Sequence, residues 1–336
     1  MTNKLSNEMI SLEQFFESIS QETTHIINNI QYAPHHGVMV QSKSISESQQ
    51  HTSDVYGHMW EQSQTIWDEE SVKHNRKTLH REYPDAQSYI DKLDKEATVV
   101  DLGCGSGFSA HALFGEKLRD FNYYGVEISD AVYHAQQLMK EKYQNGHFLK
   151  ADIATLPFAE NQADFILCTG VLQHTDSVAA SIESLAKLLK PGGISFVNCY
   201  KKPAPIRAFC DQYINGIVKN LPLDDINRTL DPLTQFGIEL GKSDTKITVP
   251  ADIPVLGIKQ GEYPIQQFIF DFVFKAYYHA NLSEANLAMM NYDWYSPQNC
   301  HQVSEEELTS LLIQNKLKIL NVNETGTFIS TIVTKE

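Results

Sequence analysis

The residues with the clearest capacity for chemistry lie in one run, Asp101-Leu102-Gly103-Cys104-Gly105-Ser106-Gly107-Phe108. An apolar stretch leads into it, so 98–102 reads as a short buried strand ending on an acid, followed by a glycine loop and a helix from about 107 to 119. Glycines at alternate positions let a ligand approach the backbone closely at a helix N-terminus. The spacing rules out two phosphate-binding loops. A dinucleotide fingerprint would need glycine at position 108, which is Phe108, and a Walker loop would need a Gly-Lys-Ser/Thr ending, which does not follow. On the loop alone, a tight turn with no ligand stays open.

The segments downstream bear on that alternative. From residue 98 onward strands alternate with helices, which implies a parallel sheet. The second strand, 123–128, carries Glu127 at its tip, where a carboxylate can accept hydrogen bonds from both ribose hydroxyls of an adenosine. A helix over 130–143 leads to a third strand ending on Asp152, and a fourth strand runs over 164–170. Thr169 to His174 then fall at the edge where ligands of open α/β sheets bind. A helix over 177–190 stops at Pro191-Gly192-Gly193, before a fifth strand over 194–200 that ends on Tyr200.

The elements outside this alternation are less regular. Residues 1–30 carry helical stripes, Leu12/Phe15/Phe16/Ile19 and then Ile26/Ile27/Ile30. These predict packing against the main domain or against the partner chain of a homodimer. Residues 31–55 read as a polar linker or mobile loop, and a second helical stretch with Tyr56, Trp60 and Trp67 continues to about Leu93, broken near Pro84. Residues 201–300 form a proline-punctuated insertion in which Phe268, Phe270, Phe272, Phe274, Tyr277 and Tyr278 crowd together. A capped helix opens at Ser304-Glu305-Glu306-Glu307, and strands over 317–324 and 327–334 close the chain.

Composition narrows the setting. The 336 residues, 42% of them hydrophobic, suffice for a large core, and a net charge of −15 argues against a nucleic-acid backbone as the main partner. Five cysteines without a CxxC pair suit free thiols in a reducing compartment. No signal-peptide pattern or membrane-length apolar run is visible, so a cytoplasmic setting without membrane is the expectation.

The run from Asp101 to Gly107, Glu127 at the second strand tip, Asp152-Ile153-Ala154-Thr155-Leu156-Pro157-Phe158, Leu188-Leu189-Lys190-Pro191-Gly192-Gly193 and the closing hairpin together resemble the class I S-adenosylmethionine (SAM)-dependent methyltransferases. The likeness is to the small-molecule, ubiquinone/menaquinone-biosynthesis-like kind with a cap insertion, and it covers about 98–200 and 303–336. It implies an α/β fold: a Rossmann-like sheet, mostly parallel with a closing antiparallel hairpin, an N-terminal helical lid and a helical cap. The expected units are a lid over 1–95, a SAM-binding core over 96–201, a substrate-side cap over 202–302, and a helix with a β-hairpin over 303–336.

The same resemblance assigns roles residue by residue. Asp101, Gly103, Cys104, Gly105, Gly107 and Phe108 would wrap the methionine half of SAM. Glu127 and Ile128 would hold the ribose, and Asp152 and Ile153 the adenine amino group and ring nitrogen, with Thr169 and Gly170 completing the site. A segment before the first strand folds over the cofactor in many members. Tyr56 and Trp60 would do so here, or else belong to the core.

Methyl transfer from a sulfonium is an in-line displacement, with the nucleophile held at roughly 3 Å in a dry pocket. No metal is required. A hydroxyl or protonated amine needs a base, for which His174 and Tyr200 are the candidates; His174 could instead hold its loop. Asn291-Tyr292-Asp293-Trp294-Tyr295-Ser296-Pro297 and His301 lead from the cap back to the core. They make either a substrate pocket using Tyr292, Trp294, Tyr295 and His301, or a packed hinge.

Absent motifs favour a small acceptor. Thr169-Gly170-Val171-Leu172 stands where base-amino methyltransferases carry Asn/Asp-Pro-Pro-Tyr/Phe, and neither a paired-glutamate loop nor the Asp-Asp pattern of metal-dependent catechol enzymes is present. The expected reaction is methylation of O, N or C on a small metabolite, a natural product or a sugar, with S-adenosylhomocysteine (SAH) as product. A protein or RNA methyltransferase and a non-catalytic SAM-binding module are the alternatives.

Overall fold

The computed structural model describes residues 3–6, 9–20, 22–42, 45–62 and 68–336. Trp67, expected in the second helical stretch, lies outside the described residues. The chain begins with β1 (Asn3–Ser6), α1 (Leu12–Ser20), β2 (Thr24–Ile27), β3 (Ile30–His35) and β4 (Val38–Gln41). Helices α2 (Glu47–Gln62), α3 (Glu69–Glu82) and α4 (Ala86–Ile90) follow. The alternating core runs β5 (Thr98–Leu102), α5 (Phe108–Phe114), β6 (Asn122–Glu127), α6 (Ala131–Tyr143), β7 (His147–Lys150), β8 (Ala163–Cys168), α7 (Val178–Leu188) and β9 (Leu189–Lys201). The insertion holds α8 (Pro205–Val218), α9 (Leu223–Lys242), the hairpin β10 (Lys246–Val249) and β11 (Gly261–Pro264), α10 (Ile265–Phe272) and α11 (Glu284–Tyr295). The chain closes with β12 (Gln302–Val303), α12 (Glu305–Gln314), β13 (Leu317–Glu324) and β14 (Phe328–Lys335).

One sheet organises the molecule, in the order β1-β2-β3-β4-β7-β6-β5-β8-β9-β14-β13, with β12 also paired to β9. The six strands from β4 to β9 in this order are mutually parallel, and β14 and β13 close the far side as the antiparallel hairpin read from the sequence. Strand order reverses at β5, because the chain moves outward through β6 and β7 and then returns to β8 on the other side. The crevice over the strand ends at such a reversal is the usual ligand site of open α/β sheets.

Period-two alternation buries both faces. Val100 and Ile166 pack with Phe15, Ile182 and Leu308 on the side of α1, α7 and α12. Their neighbours Val99, Phe165 and Leu167 pack with Ala110, Leu113, Val132 and Met139 on the side of α5 and α6. A third cluster joins Val55 and Met59 of α2 to Tyr200, Ile226, Leu230 and Tyr292, so α2, the core and the cap share apolar contacts.

The N-terminal region departs from the expected helical lid. Helix α1 forms where its apolar stripe predicted, but 24–41 are strands rather than a second helix and a linker. They add a meander to the sheet through β4, which pairs in parallel with β7. Two-residue turns set its register: Ile27 pairs with Ile30 around Asn28-Asn29, and His35 with Val38 around His36-Gly37. All four turn residues have positive φ, the geometry that suits right-twisted hairpins. The linker expected to reach residue 55 ends earlier, since α2 begins at Glu47.

Candidate active site

The strand ends, α2, α3 and the cap enclose one cavity of about 610 Å³. Its floor is the loop after β5. Gly103 has φ +75°, and a Cβ there would lie 2.3 Å from the Val171 side chain. Gly105 has φ +52°, and a Cβ there would lie 3.1 Å from the Trp60 ring. Both positions therefore need glycine on conformational and steric grounds. The loop amides are already occupied: those of Gly103 and Cys104 donate to Val126 O at 2.7 and 3.0 Å, and that of Gly107 to Cys104 O at 2.7 Å. The amide of Gly105 donates to Glu127 Oε2 at 3.0 Å. A loop whose amides point inward is no phosphate cradle, in line with the spacing argument.

Glu127 ends β6 and lines the cavity. Besides Gly105 it accepts the Ser129 amide on Oε1 at 2.9 Å, so both carboxylate oxygens are oriented by backbone donors. Asp152 lines the next part of the wall with Ile153. Its Oδ1 caps Ala154 N at 2.9 Å, and its own amide donates to Gln41 Oε1 at 3.0 Å. Gln41 also donates to Thr155 Oγ1, so β4 of the N-terminal meander braces this loop, a function that the linker reading had missed.

Of the expected cofactor residues, Gly103, Cys104, Gly105, Phe108, Glu127, Ile128, Asp152, Ile153, Thr169, Gly170, Tyr56 and Trp60 all line this one cavity, whereas Asp101 and Gly107 do not. Asp101 is buried on the sheet and accepts the Tyr123 hydroxyl at 2.8 Å. Burial pushes its carboxyl up to about 7 despite that bond, with the nearby charge of Glu127 acting in the same direction. Gly107 faces α6, where a Cβ would meet Met139 at 2.9 Å.

Helix α2 presents Gln49, Thr52, Tyr56, Met59 and Trp60 to the cavity at helical spacing. Ser53 Oγ donates to Ile128 O at 3.1 Å, and the Tyr56 hydroxyl donates to Asp293 Oδ1 at 2.9 Å. The Tyr200 hydroxyl donates to the other oxygen of Asp293 at 3.1 Å. Burial holds both phenols well above their ordinary range, and the Asp293 charge adds to the effect. Tyr200 thus stays a neutral hydroxyl whose proton is directed at Asp293.

His174 lines the cavity beside this trio, its ring edge-on to Tyr56 and Tyr200 at 5.1 and 5.3 Å between centroids. Its Nδ1 lies 2.9 Å from the carbonyl of Asn299, an acceptor only, so Nδ1 carries the proton. That assignment leaves the lone pair on Nε2, which is buried without a protein partner among the described residues. Burial holds the imidazole below its usual range, so it is neutral at pH 7.

The four expected acceptor contacts are placed elsewhere. Tyr292, Trp294, Tyr295 and His301 do not line the cavity; Met289, Met290 and Asp293 of the same helix do. Trp294 Nε1 and the Tyr295 hydroxyl donate to Asp211 at 2.9 and 2.7 Å, Tyr292 is packed against the α2 and α9 residues of the third cluster, and His301 Nε2 meets Thr175 O at 2.9 Å. This is the packed-hinge arrangement: the aromatics anchor the cap, and the acid between them faces inward. Among the wall residues not anticipated, two are both charged and buried. Glu82 of α3 is buried, accepts one hydrogen bond from Asn198 Nδ2 at 3.1 Å, and is pushed up to about 7 by burial. Lys275, from the segment between α10 and α11, is buried with its Nζ 4.3 Å from the Trp294 ring centroid. A lone lysine in the apolar run Phe272-Val273-Phe274-Lys275-Ala276 was the available signal.

A doubly wound sheet with its reversal at β5, a glycine loop that spends its amides internally and acids at the next two strand ends define the class I methyltransferase fold. Residues 100–197 match the family described as a methyltransferase domain. The chain is 27% identical over 245 residues to a ubiquinone biosynthesis O-methyltransferase of Rickettsia conorii, an alignment covering 71% of this chain and 75% of that protein. It is 29% identical to a 2-phytyl-1,4-naphtoquinone methyltransferase of Nostoc punctiforme over 36% of this chain and 55% of that one. Against several other curated relatives the chain likewise spans about half of their length. Among solved structures, PKMT2 from Rickettsia typhi shares the fold with a TM-score of 0.50 and 18% identity, covering 76% of this chain and 53% of that one. Residues 100–197 are thus a methyltransferase domain, and the chain that carries it has the class I SAM-dependent methyltransferase fold.

Proposed function

We propose that the chain transfers the methyl group of SAM to O, N or C of a small metabolite, a natural product or a sugar-like compound, held between the strand ends and the cap. The observation that carries this reading is the continuity of a single cavity. Part of its lining is the glycine loop, Glu127 and Asp152, and part is His174, Tyr200, Asp293 and residues of the cap. SAM, when bound, supplies a methyl group on a sulfonium. Glu127 and Ile128 would hold its ribose, Asp152 and Ile153 its adenine, and Gly103 to Gly105 its methionine portion. Trp60 against Gly105 and Tyr56 of α2 would exclude water from that part. Asp293 fixes the two tyrosines, and their hydroxyl oxygens retain lone pairs toward an acceptor. His174 would take the acceptor proton on Nε2 when the methyl group is transferred, becoming an imidazolium. The base is needed for an acceptor hydroxyl or ammonium, which makes O and N the favoured atoms.

The test is transfer of label from methyl-labelled SAM into a cell extract separated into small-molecule, protein and RNA fractions. The expected result is label in the small-molecule fraction, lost in His174→Asn. Label confined to protein or RNA would overturn the small-molecule reading, and label unaffected by His174→Asn would remove the proposed base.

A further inference from the structure

Lys275 is the one buried cation among the described residues that line the cavity, and the proposed reaction leaves it unused. Its side chain is 5% exposed, yet it faces the cavity. Its backbone is pinned: the amide donates to Asp211 Oδ1 at 3.1 Å and to the Tyr295 hydroxyl at 2.9 Å. The ammonium itself makes only the contact with the Trp294 face; among the described residues it has no hydrogen bond and no carboxylate within ion-pair distance. The two acids nearest in charge are otherwise engaged. Asp293 takes both tyrosine hydroxyls, and Asp211 takes Arg207, Trp294 and Tyr295. A buried ammonium is costly unless its donors are met, and a cation–π contact offsets only a part of that cost.

Building on the proposed reaction, we infer that Lys275 binds the carboxylate of the acceptor, so that the acceptor is an aromatic carboxylic acid. Three features select this class. Among the described residues lining the cavity Lys275 is the one buried cation, Arg81 being exposed, and a single ammonium suits a monovalent oxyanion rather than a phosphate, which would call for a buried bidentate arginine or a nest of amides. Glu82, Glu127, Asp152 and Asp293 also face the cavity, and they disfavour a second negative charge on the ligand. The wall around the lysine is aromatic and apolar, with Phe270, Tyr277, Met289, Met290 and Phe328, which fits a flat ring between the carboxylate and the reacting atom. Burial lowers Lys275 to about 8, so it remains largely charged at neutral pH to receive the anion.

The experiment is ligand-observed NMR on the SAH-bound protein at pH 7, with benzoate and its neutral isostere benzamide as probes. Benzoate should bind about tenfold or more tightly than benzamide. Lys275→Met should bring the two to parity and Lys275→Arg should keep most of the preference, with SAH affinity by calorimetry within threefold of wild type in both. Equal binding of the two probes by the wild type, or an undiminished benzoate preference in Lys275→Met, would overturn the inference. The wild-type comparison stands even where a variant fails to fold. Failure of the wild type to bind SAH would strike the methyltransferase reading instead, so the two failures are distinguishable.

Discussion

Tyr200, at the end of core strand β9, gives its hydroxyl proton to Asp293 of cap helix α11 over 3.1 Å. Tyr56 of α2 gives its own to the other oxygen of the same carboxylate. Three segments far apart in sequence therefore meet on one acid at the cavity wall. Asp293→Asn offers a single acceptor oxygen and opposes one hydroxyl with an amide. Turnover should fall by about 10–100-fold, while SAM affinity stays within about threefold, since the acid lies in the part of the lining assigned to the acceptor. Label transfer and calorimetry on the same preparation check both parts.

His174 is predicted to act through its neutral form. Burial lowers its pKa, the nearby Asp293 charge opposes that shift, and His301 and Lys275 reinforce it. Activity should therefore be lost only as pH falls below the usual histidine value of 6.5. Substitution with asparagine should cost about 10²–10⁴-fold and abolish that acid limb. A pH profile of kcat/KM for both proteins is the check.

Glu127 should matter to SAM more than any other acid, because it faces the cavity and also holds the Gly105 amide. Glu127→Ala should weaken SAM binding by about 30-fold or more, near 2 kcal/mol, by calorimetry.

Asp101 and Glu82 should leave a signature in stability against pH. The folded pKa of Asp101, about 7, exceeds its ordinary value of 3.8, so between these values the native state holds a proton that the unfolded state has lost. Its contribution is full below about pH 4 and is lost as pH rises through 7. Glu82, also raised to about 7, acts in the same direction. Asp101→Asn keeps an acceptor for Tyr123 and removes the buried charge. It should stabilise the protein by roughly 1–3 kcal/mol at pH 8 and by little at pH 4. Thermal melts across pH provide the comparison.

Asp211 should be the largest single contributor to cap stability. It pairs with buried Arg207 at 3.2 Å and accepts from Trp294 and Tyr295. Asp211→Ala strands the guanidinium and should cost about 3–5 kcal/mol, seen as a lower urea midpoint.

The core was legible because its signals are local. Val99-Val100 before the glycines, an acid at each of the next two strand ends and the Pro191-Gly192-Gly193 stop each specify an element within a few residues. The N-terminal strands carried a signal too, in Asn28-Asn29 and His36-Gly37, but isoleucines at 26, 27 and 30 also satisfy a short helical spacing, and the longer pattern prevailed. At the site, residue type misled where orientation decided. The aromatics of α11 looked like the pocket, yet a helix turns successive side chains through about 100°. Asp293 consequently faces the cavity while Trp294 and Tyr295 face Asp211. Glu82 carries no local mark, because its hydrogen-bond partner Asn198 is more than a hundred residues away.

The pairing of β4 with β7 also bears on how the chain avoids self-association. Without the meander, β7 would be an exposed rim: a parallel strand with open amides and carbonyls beside buried Phe148 and Leu149. Such a rim templates the addition of strands from other molecules. With the meander in place the sheet ends instead on β1, only four residues long, so the rim is replaced by a shorter and poorer template. The N-terminal strands thus guard a folded enzyme against aggregation, a duty separate from their support of Asp152.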